Sequence, residues 1–261
     1  MSVQDLQQLL LTYSLLLPRI ISCFVVLPVL AKQTLGGGLV RNGVACSLAL
    51  FAYPIVAGSL PPALGALDIA LLIGKEVLLG LLIGFVATIP FWAMEATGFI
   101  IDNQRGAALA STLNPSLGSQ TSPTGLLLTQ TLITLFFSGA FLALVGSLFR
   151  SYASWPVSSF FPQLGSQWVA FFYAQFSQML MLCALFAAPL LIAMFLAEFG
   201  LALVSRFAPS LNVFILAMPI KSLVASLLLV LYLGILMEHA YDALLLAVDP
   251  LRLLRPVLET P

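Results

Sequence analysis

The chain has 261 residues, of which 61% are hydrophobic and 8% charged, and ten Lys and Arg balance ten Asp and Glu. An ordinary soluble domain carries about 25% charged residues, so this composition argues against a soluble enzyme, against a disordered tail and against a basic nucleic-acid binder. What remains is a polytopic membrane protein, or a subunit covered on most sides by other subunits.

An apolar helix that crosses the hydrocarbon needs about 20 residues, and five or six stretches qualify. In chain order these are residues 9–30, 43–64 (with Pro54, Pro61 and Pro62 towards its end) and 69–101, which is long enough to be bent or broken at Pro90. Residues 125–149, 168–204 with an interruption at Pro189, and 211–248 complete the series. Prolines inside such helices remove one backbone bond and mark kinks. No strand alternation runs long enough for a membrane barrel. The fold class is all-α.

The N-terminal residues Met1–Asp5 contain no Lys or Arg, so the first apolar segment is expected to be retained rather than cleaved as a signal peptide. Cys23, Cys46 and Cys183 each lie in an apolar run with no Cys or His at ligand spacing. They read as core hydrophobes rather than as a metal site or disulfide framework. Three connections stand out. Residues 31–42, with Lys32, three glycines and Arg41, read as a flexible basic loop. Residues 150–167, with Tyr152, Trp155, Phe160 and Phe161, suit the membrane–water interface. Residues 111–125 read STLNPSLGSQTSPTG, with only Leu113 and Leu117 apolar and no charge, a composition that resists helix and reads as a loop. Counting cations in alternate loops puts Lys32, Arg41, Arg105 and Arg206 on one side and Arg150, Arg252 and Arg255 on the other. That is a weaker bias than the positive-inside rule usually gives.

Arg19, Lys75, Glu76, Glu95, Glu198, Lys221 and Glu238 lie within or at the edge of apolar runs. A charge facing lipid is costly, so each is expected to turn inward or to find a partner. Lys75 and Glu76 are helix neighbours about 100° apart and are expected to pair elsewhere rather than with each other. Glu76, Gly80 and Gly84 share one face, on which a second helix can come close. Two functions fit such charges: an ion or proton pathway, and structural pairing that fixes an assembly. The lack of closely spaced carboxylates or histidines along one route favours pairing. His239, next to Glu238 and three residues before Asp242, lacks further ligands and reads as a satisfied or solvated side chain. HExxH, GxSxG and Walker A are absent, and Ser119 after Gly118 has no nearby base. The chain is expected to be no enzyme and to need no metal or cofactor.

Residues 90–115, PFWAMEATGFIIDNQRGAALASTLNP, and 205–222, SRFAPSLNVFILAMPIKS, carry a resemblance. With the hydropathy layout, they resemble the FliR/YscT/SpaR family, the T subunits (SctT) of the type III secretion export apparatus. The IDNQRG block at 101–106 and the RFAPxxN block from Arg206 to Asn212 look closest to the injectisome branch. Ala217-Met218-Pro219 stands where flagellar members tend to have Gly-Met-Pro, and Asn114-Pro115 where Asp-Pro is common.

The resemblance implies one all-helical subunit over residues 1–261, built of tilted, kinked helical hairpins that pack in a hetero-oligomeric export gate. It implies a non-enzymatic role in virulence-associated protein secretion, closing a pore with the R and S subunits. The U subunit is then associated, and the V subunit is a further candidate partner. Unfolded proteins are the transient cargo, and the site is the Gram-negative inner membrane within the basal body, partly on its periplasmic side. Membrane lipid, and no nucleic acid, completes the surroundings. The loop at 106–122, with Gly106, Ser111, Leu113, Asn114, Pro115, Leu117, Gly118 and Ser122, is expected to plug the closed pore. Asp102 and Arg105, one helical turn apart, are expected to pair at its base, with Asn103 and Gln104 satisfying what remains. Lys75, Glu76, Glu95, Glu198, Arg206, Asn212 and Lys221 are expected to be structural polar positions. The rival reading, a stand-alone secondary transporter of a small solute, predicts paired broken helices in two halves. No such repeat occurs in the chain.

Overall fold

A computed structural model of the chain describes residues 3–30, 38–56, 65–106, 122–159, 168–207 and 213–258. Among the described residues the regular structure is helical throughout. Helix α1 spans Val3–Val26 and is followed by a 3₁₀ turn at Pro28–Leu30; α2 spans Gly38–Val56 and α3 spans Ala66–Arg105. Helix α4 spans Pro123–Leu135 and passes through a π-helical turn, Phe136–Ala140, into α5, Phe141–Ser154. Then come α6, Trp168–Phe207, α7, Val213–Ala247, and the short α8, Pro250–Leu258. Among the described residues six helical runs are long and apolar enough to cross a membrane.

The chain departs from the sequence reading at several places. Helices α3 and α6 continue through Pro90 and Pro189 without a break. A proline costs one intrahelical bond, and the many bonds on either side of it keep a 40-residue helix intact. The basic stretch expected as loop is helical from Gly38, so Arg41 and Asn42 lie in α2, while 31–37 fall outside the described residues. Arg150 to Ser154 close α5, so the connection is shorter than read; Tyr152 and Trp155 are buried against the protein, and Phe160 and Phe161 lie outside the described residues. Of residues 111–125, the last three belong to α4. Ser122 caps that helix by accepting from the Gly125 N–H, and Pro123 opens it, a position where its missing N–H costs nothing.

The residues form two compact units. The first contains residues 1–89, 137–175 and 244–261, and the second contains 90–136 and 176–243. In the first unit, α1 lies against α3 where Gly80 and Gly84 leave no side chain. A Cβ on Gly80 would overlap the Arg19 carbonyl and the Ser22 hydroxyl, and one on Gly84 would come within 2.7 Å of the Cys23 carbonyl. The Tyr13 hydroxyl donates to the Cys46 carbonyl at 2.8 Å, joining α1 to α2, and the Tyr152 hydroxyl donates to the Leu16 carbonyl at 2.8 Å, joining α5 to α1.

In the second unit, Ile101, Leu190, Met194 and Ala225 form a buried cluster from α3, α6 and α7. Phe91 meets Phe136 edge to face at 5.7 Å, a favoured ring geometry. Gly98 touches Gly125 so closely that a Cβ there would overlap its backbone, which brings the start of α4 beside the last turns of α3. The outer helices are sparsely covered. Within their apolar windows 28% of α6 and 17% of α7 is buried, against 50% of α3, so most of α6 and α7 needs lipid or another chain against it.

Candidate functional site

The first unit holds a buried ion cluster. Arg19 of α1 is fully buried, and its Nε and Nη2 donate to the two oxygens of Glu76 on α3 at 2.6 and 2.9 Å. This two-pronged match of guanidinium to carboxylate is the strongest common ion-pair geometry. Its Nη1 donates to Ser151 Oγ at 3.0 Å, its Nη2 also donates to the Trp155 carbonyl at 2.9 Å, and its carbon lies 4.2 Å above the Tyr152 ring. Lys75 approaches Glu76 Oε1 to 2.9 Å. The expectation that these neighbours do not pair is therefore corrected: the long, flexible lysine side chain spans the angle between adjacent helix positions and reaches the buried carboxylate. The same ammonium donates to the carbonyls of Pro156, Val157 and Ser159 at 2.8, 3.0 and 2.8 Å. Two cations and one carboxylate leave a surplus positive charge, and it sits at the carbonyl end of α5, where the helix dipole is negative.

The second unit holds a smaller cluster at the end of α3. Asp102 accepts four hydrogen bonds: from Ser122 Oγ at 2.7 Å, the Thr124 N–H at 2.9 Å, Thr124 Oγ1 at 2.6 Å and Arg105 Nη1 at 3.2 Å. A carboxylate offers about four lone-pair sites, so this buried group is saturated. Arg105 also donates to Thr124 Oγ1 at 3.1 Å, and through Nη2 to Ser222 at 3.1 Å and Ser226 at 3.5 Å on α7. The chain leaves α3 at Gly106, whose φ of +95° is open to glycine and whose N–H donates to the Asn103 carbonyl at 3.0 Å. It re-enters at Ser122. Both ends of the 106–122 segment are thus tied to one turn of α3. Gln104 is partly buried, and its side chain makes no hydrogen bond among the described residues.

The remaining singled-out positions behave differently. Lys221 and Glu198 pair at 3.1 Å between α7 and α6, with the glutamate 45% exposed. Glu95 and Arg206 are exposed and make no ion pair among the described residues. His239 is exposed, with Nδ1 2.8 Å from the Ile235 carbonyl. Ser111, Leu113, Asn114, Pro115, Leu117, Gly118 and Asn212 lie outside the described residues. Among the described residues no group of three or more His, Cys, Asp and Glu side chains could hold a metal.

Ser151, Tyr152, the carbonyls at 155–159, Thr124, Ser222 and Ser226 were not legible as partners. A signal exists for two of them. Ser122-Pro123-Thr124 is a helix-start pattern, and Ser222 and Ser226 lie four apart on one face of α7.

Residues 10–246 match the model of the family described as Bacterial export proteins, family 1. The chain belongs to this family. It is 69% identical to the Yop proteins translocation protein T of Yersinia pestis, over 97% of this chain and 98% of that protein. It is 33% identical to the secretion system apparatus protein SsaT of Salmonella typhimurium, over 90% of this chain and 92% of the other. The flagellar biosynthetic protein FliR of Bacillus subtilis is 27% identical over 90% of each chain. Identity to the Yersinia protein more than twice that to the flagellar one agrees with the injectisome-side resemblance of the IDNQRG and RFAPxxN blocks. The bacterial export proteins are thus represented here by a chain whose described residues hold six membrane-crossing candidates.

Proposed function

We propose that this chain is a non-enzymatic core subunit of a type III secretion export gate, which helps form and close the pore that unfolded proteins cross. The observation that carries this reading is the 69% identity, along almost the full length of both chains, to a protein named for Yop translocation. A stand-alone solute transporter finds no support among relatives named for translocation, secretion apparatus and flagellar biosynthesis. The gate is completed by R and S subunits, with U associated and V as a further partner. It sits in the Gram-negative inner membrane within the basal body, partly on the periplasmic side. The sparse burial of α6 and α7 supports such a companion-rich setting.

Residues 106–122 act as the plug in this reading. Asp102 supports it by tying Ser122 and Thr124 to the turn that Gly106 leaves. A segment with both ends fixed to one rigid turn can fill or vacate a pore without unfolding its anchors. Its side chains are all uncharged and, apart from Leu109, Leu113, Leu117 and Gln120, small, so it fills space without gripping a passing chain.

Deleting residues 111–121 tests this. The shortened chain should still assemble with its companions but make cells leak ions or small solutes. Unchanged conductance in cells where the shortened complex is shown to assemble would refute the plug.

A further inference from the structure

The embedded carboxylates of this chain divide sharply. Glu76 has Arg19 and Lys75, Asp102 has Arg105, and Glu198 has Lys221. Glu238 and Glu95 make no ion pair among the described residues; Glu238 has His239 and Asp242 close by in sequence, whereas Glu95 stands alone. It is the single charge in residues 77–101 of α3, a run long enough to cross the hydrocarbon. It is exposed, as are Phe99, Ile100 and Asn103. These four lie on one side of the helix, while Phe91, Ala93, Met94, Thr97, Gly98, Ile101 and Asp102 are buried around the rest.

Among the described residues no cation of the second unit pairs with Glu95. Arg105 and Lys221 are engaged, and Arg206 makes no ion pair among the described residues. The unit's segments outside the described residues, 107–121 and 208–212, contain no Lys or Arg. Counted over the sequence, the neutral chain divides into seven cations and five anions in the first unit and three cations and five anions in the second. A carboxylate turned to lipid at mid-bilayer would cost roughly a hundredfold in the insertion equilibrium. A cation from another chain removes that cost.

We propose that the Glu95–Phe99–Asn103 face of α3 docks a membrane-embedded helix of another subunit, and that this helix presents a Lys or Arg to Glu95. Its surface is otherwise apolar, to cover Phe99 and Ile100, with a polar group near Asn103. The inference rests on the reading of the chain as a subunit of a hetero-oligomer and adds a specific face and the chemistry of its partner.

The test uses the full chain co-expressed with its companion export-apparatus subunits. A photo-crosslinking amino acid at position 99 should trap a different polypeptide in the assembled complex. Glu95→Lys should lower the yield of assembled complex about tenfold or more, and Glu95→Gln less, because two like charges face to face cost more than one cation left opposite a neutral amide. Reversing the charge of a Lys or Arg in the trapped helix should restore Glu95→Lys. Adducts only to lipid, or Glu95→Lys assembling at the wild-type yield, would overturn the proposal. If the wild-type chain recruits no companion at all, the export-gate reading fails instead, so the two failures are distinct.

Discussion

Glu76 is the only anion in a buried cluster with two cations, and this asymmetry sets an order for its variants. Arg19→Met leaves Lys75 and Glu76 as a neutral pair at 2.9 Å, with Ser151 and the Trp155 carbonyl losing their donor. Removing one member of a buried ion pair costs about 3–5 kcal/mol, and the surviving lysine places this variant near the lower figure. Glu76→Gln leaves the Arg19 guanidinium and the Lys75 ammonium facing one neutral amide, which places it at the upper figure of about 5 kcal/mol. The double variant removes the cation that Glu76→Gln strands, so it should fall about 3 kcal/mol short of the sum of the two single effects. Lys75 keeps its three carbonyl partners in all of them. Denaturant midpoints of the purified assembly in mixed micelles at fixed detergent read this order. A double variant equal to the sum would show that the charges act independently, and Arg19→Met as damaging as Glu76→Gln would show that Lys75 does not compensate for the lost arginine.

Gly98→Ala should destabilise by about 1–3 kcal/mol through overpacking against Gly125. Gly74→Ala, with open space around the added carbon, should be neutral or stabilising by up to about 1 kcal/mol; the same midpoints compare them. Asp102→Ala should cost about 3 kcal/mol, since it frees Ser122, two donors of Thr124 and a cation. Arg105→Ala should cost less, about 1–2 kcal/mol, because the arginine side chain is 25% exposed, and an equal or reversed order would contradict the saturated-carboxylate account. Glu198→Gln should stay within about 1 kcal/mol of wild type, as its side chain is 45% exposed.

Hydropathy alone located six apolar runs, because a helix that must cross or line hydrocarbon advertises its length in composition. Helix ends were less legible. The glycines at 36–38 and the serines and prolines near 122 read as loop, yet Gly38 begins α2 and Ser122 begins α4, since the same residues that punctuate chains also cap helices. The continuity of α3 and α6 through Pro90 and Pro189 depends on neighbours that a one-dimensional reading does not see. The i,i+3 spacing of Asp102 and Arg105 was visible. The carboxylate's other three hydrogen bonds come from Ser122 and Thr124, about twenty residues along the chain. Lys75 reaches Glu76 although their Cβ directions diverge by about 100°, because side-chain length, which helix periodicity does not encode, closes the gap to 2.9 Å.

The central claim, that this chain is a gate subunit incomplete without its companions, is tested most directly by native mass spectrometry after gentle detergent extraction. The full-length tagged chain should be measured both alone and co-expressed with the other export-apparatus subunits. The expected result is a single complex of fixed composition containing one or more small apolar subunits, while the chain expressed alone is aggregated or degraded. A folded, protease-resistant monomer in both preparations would contradict the claim.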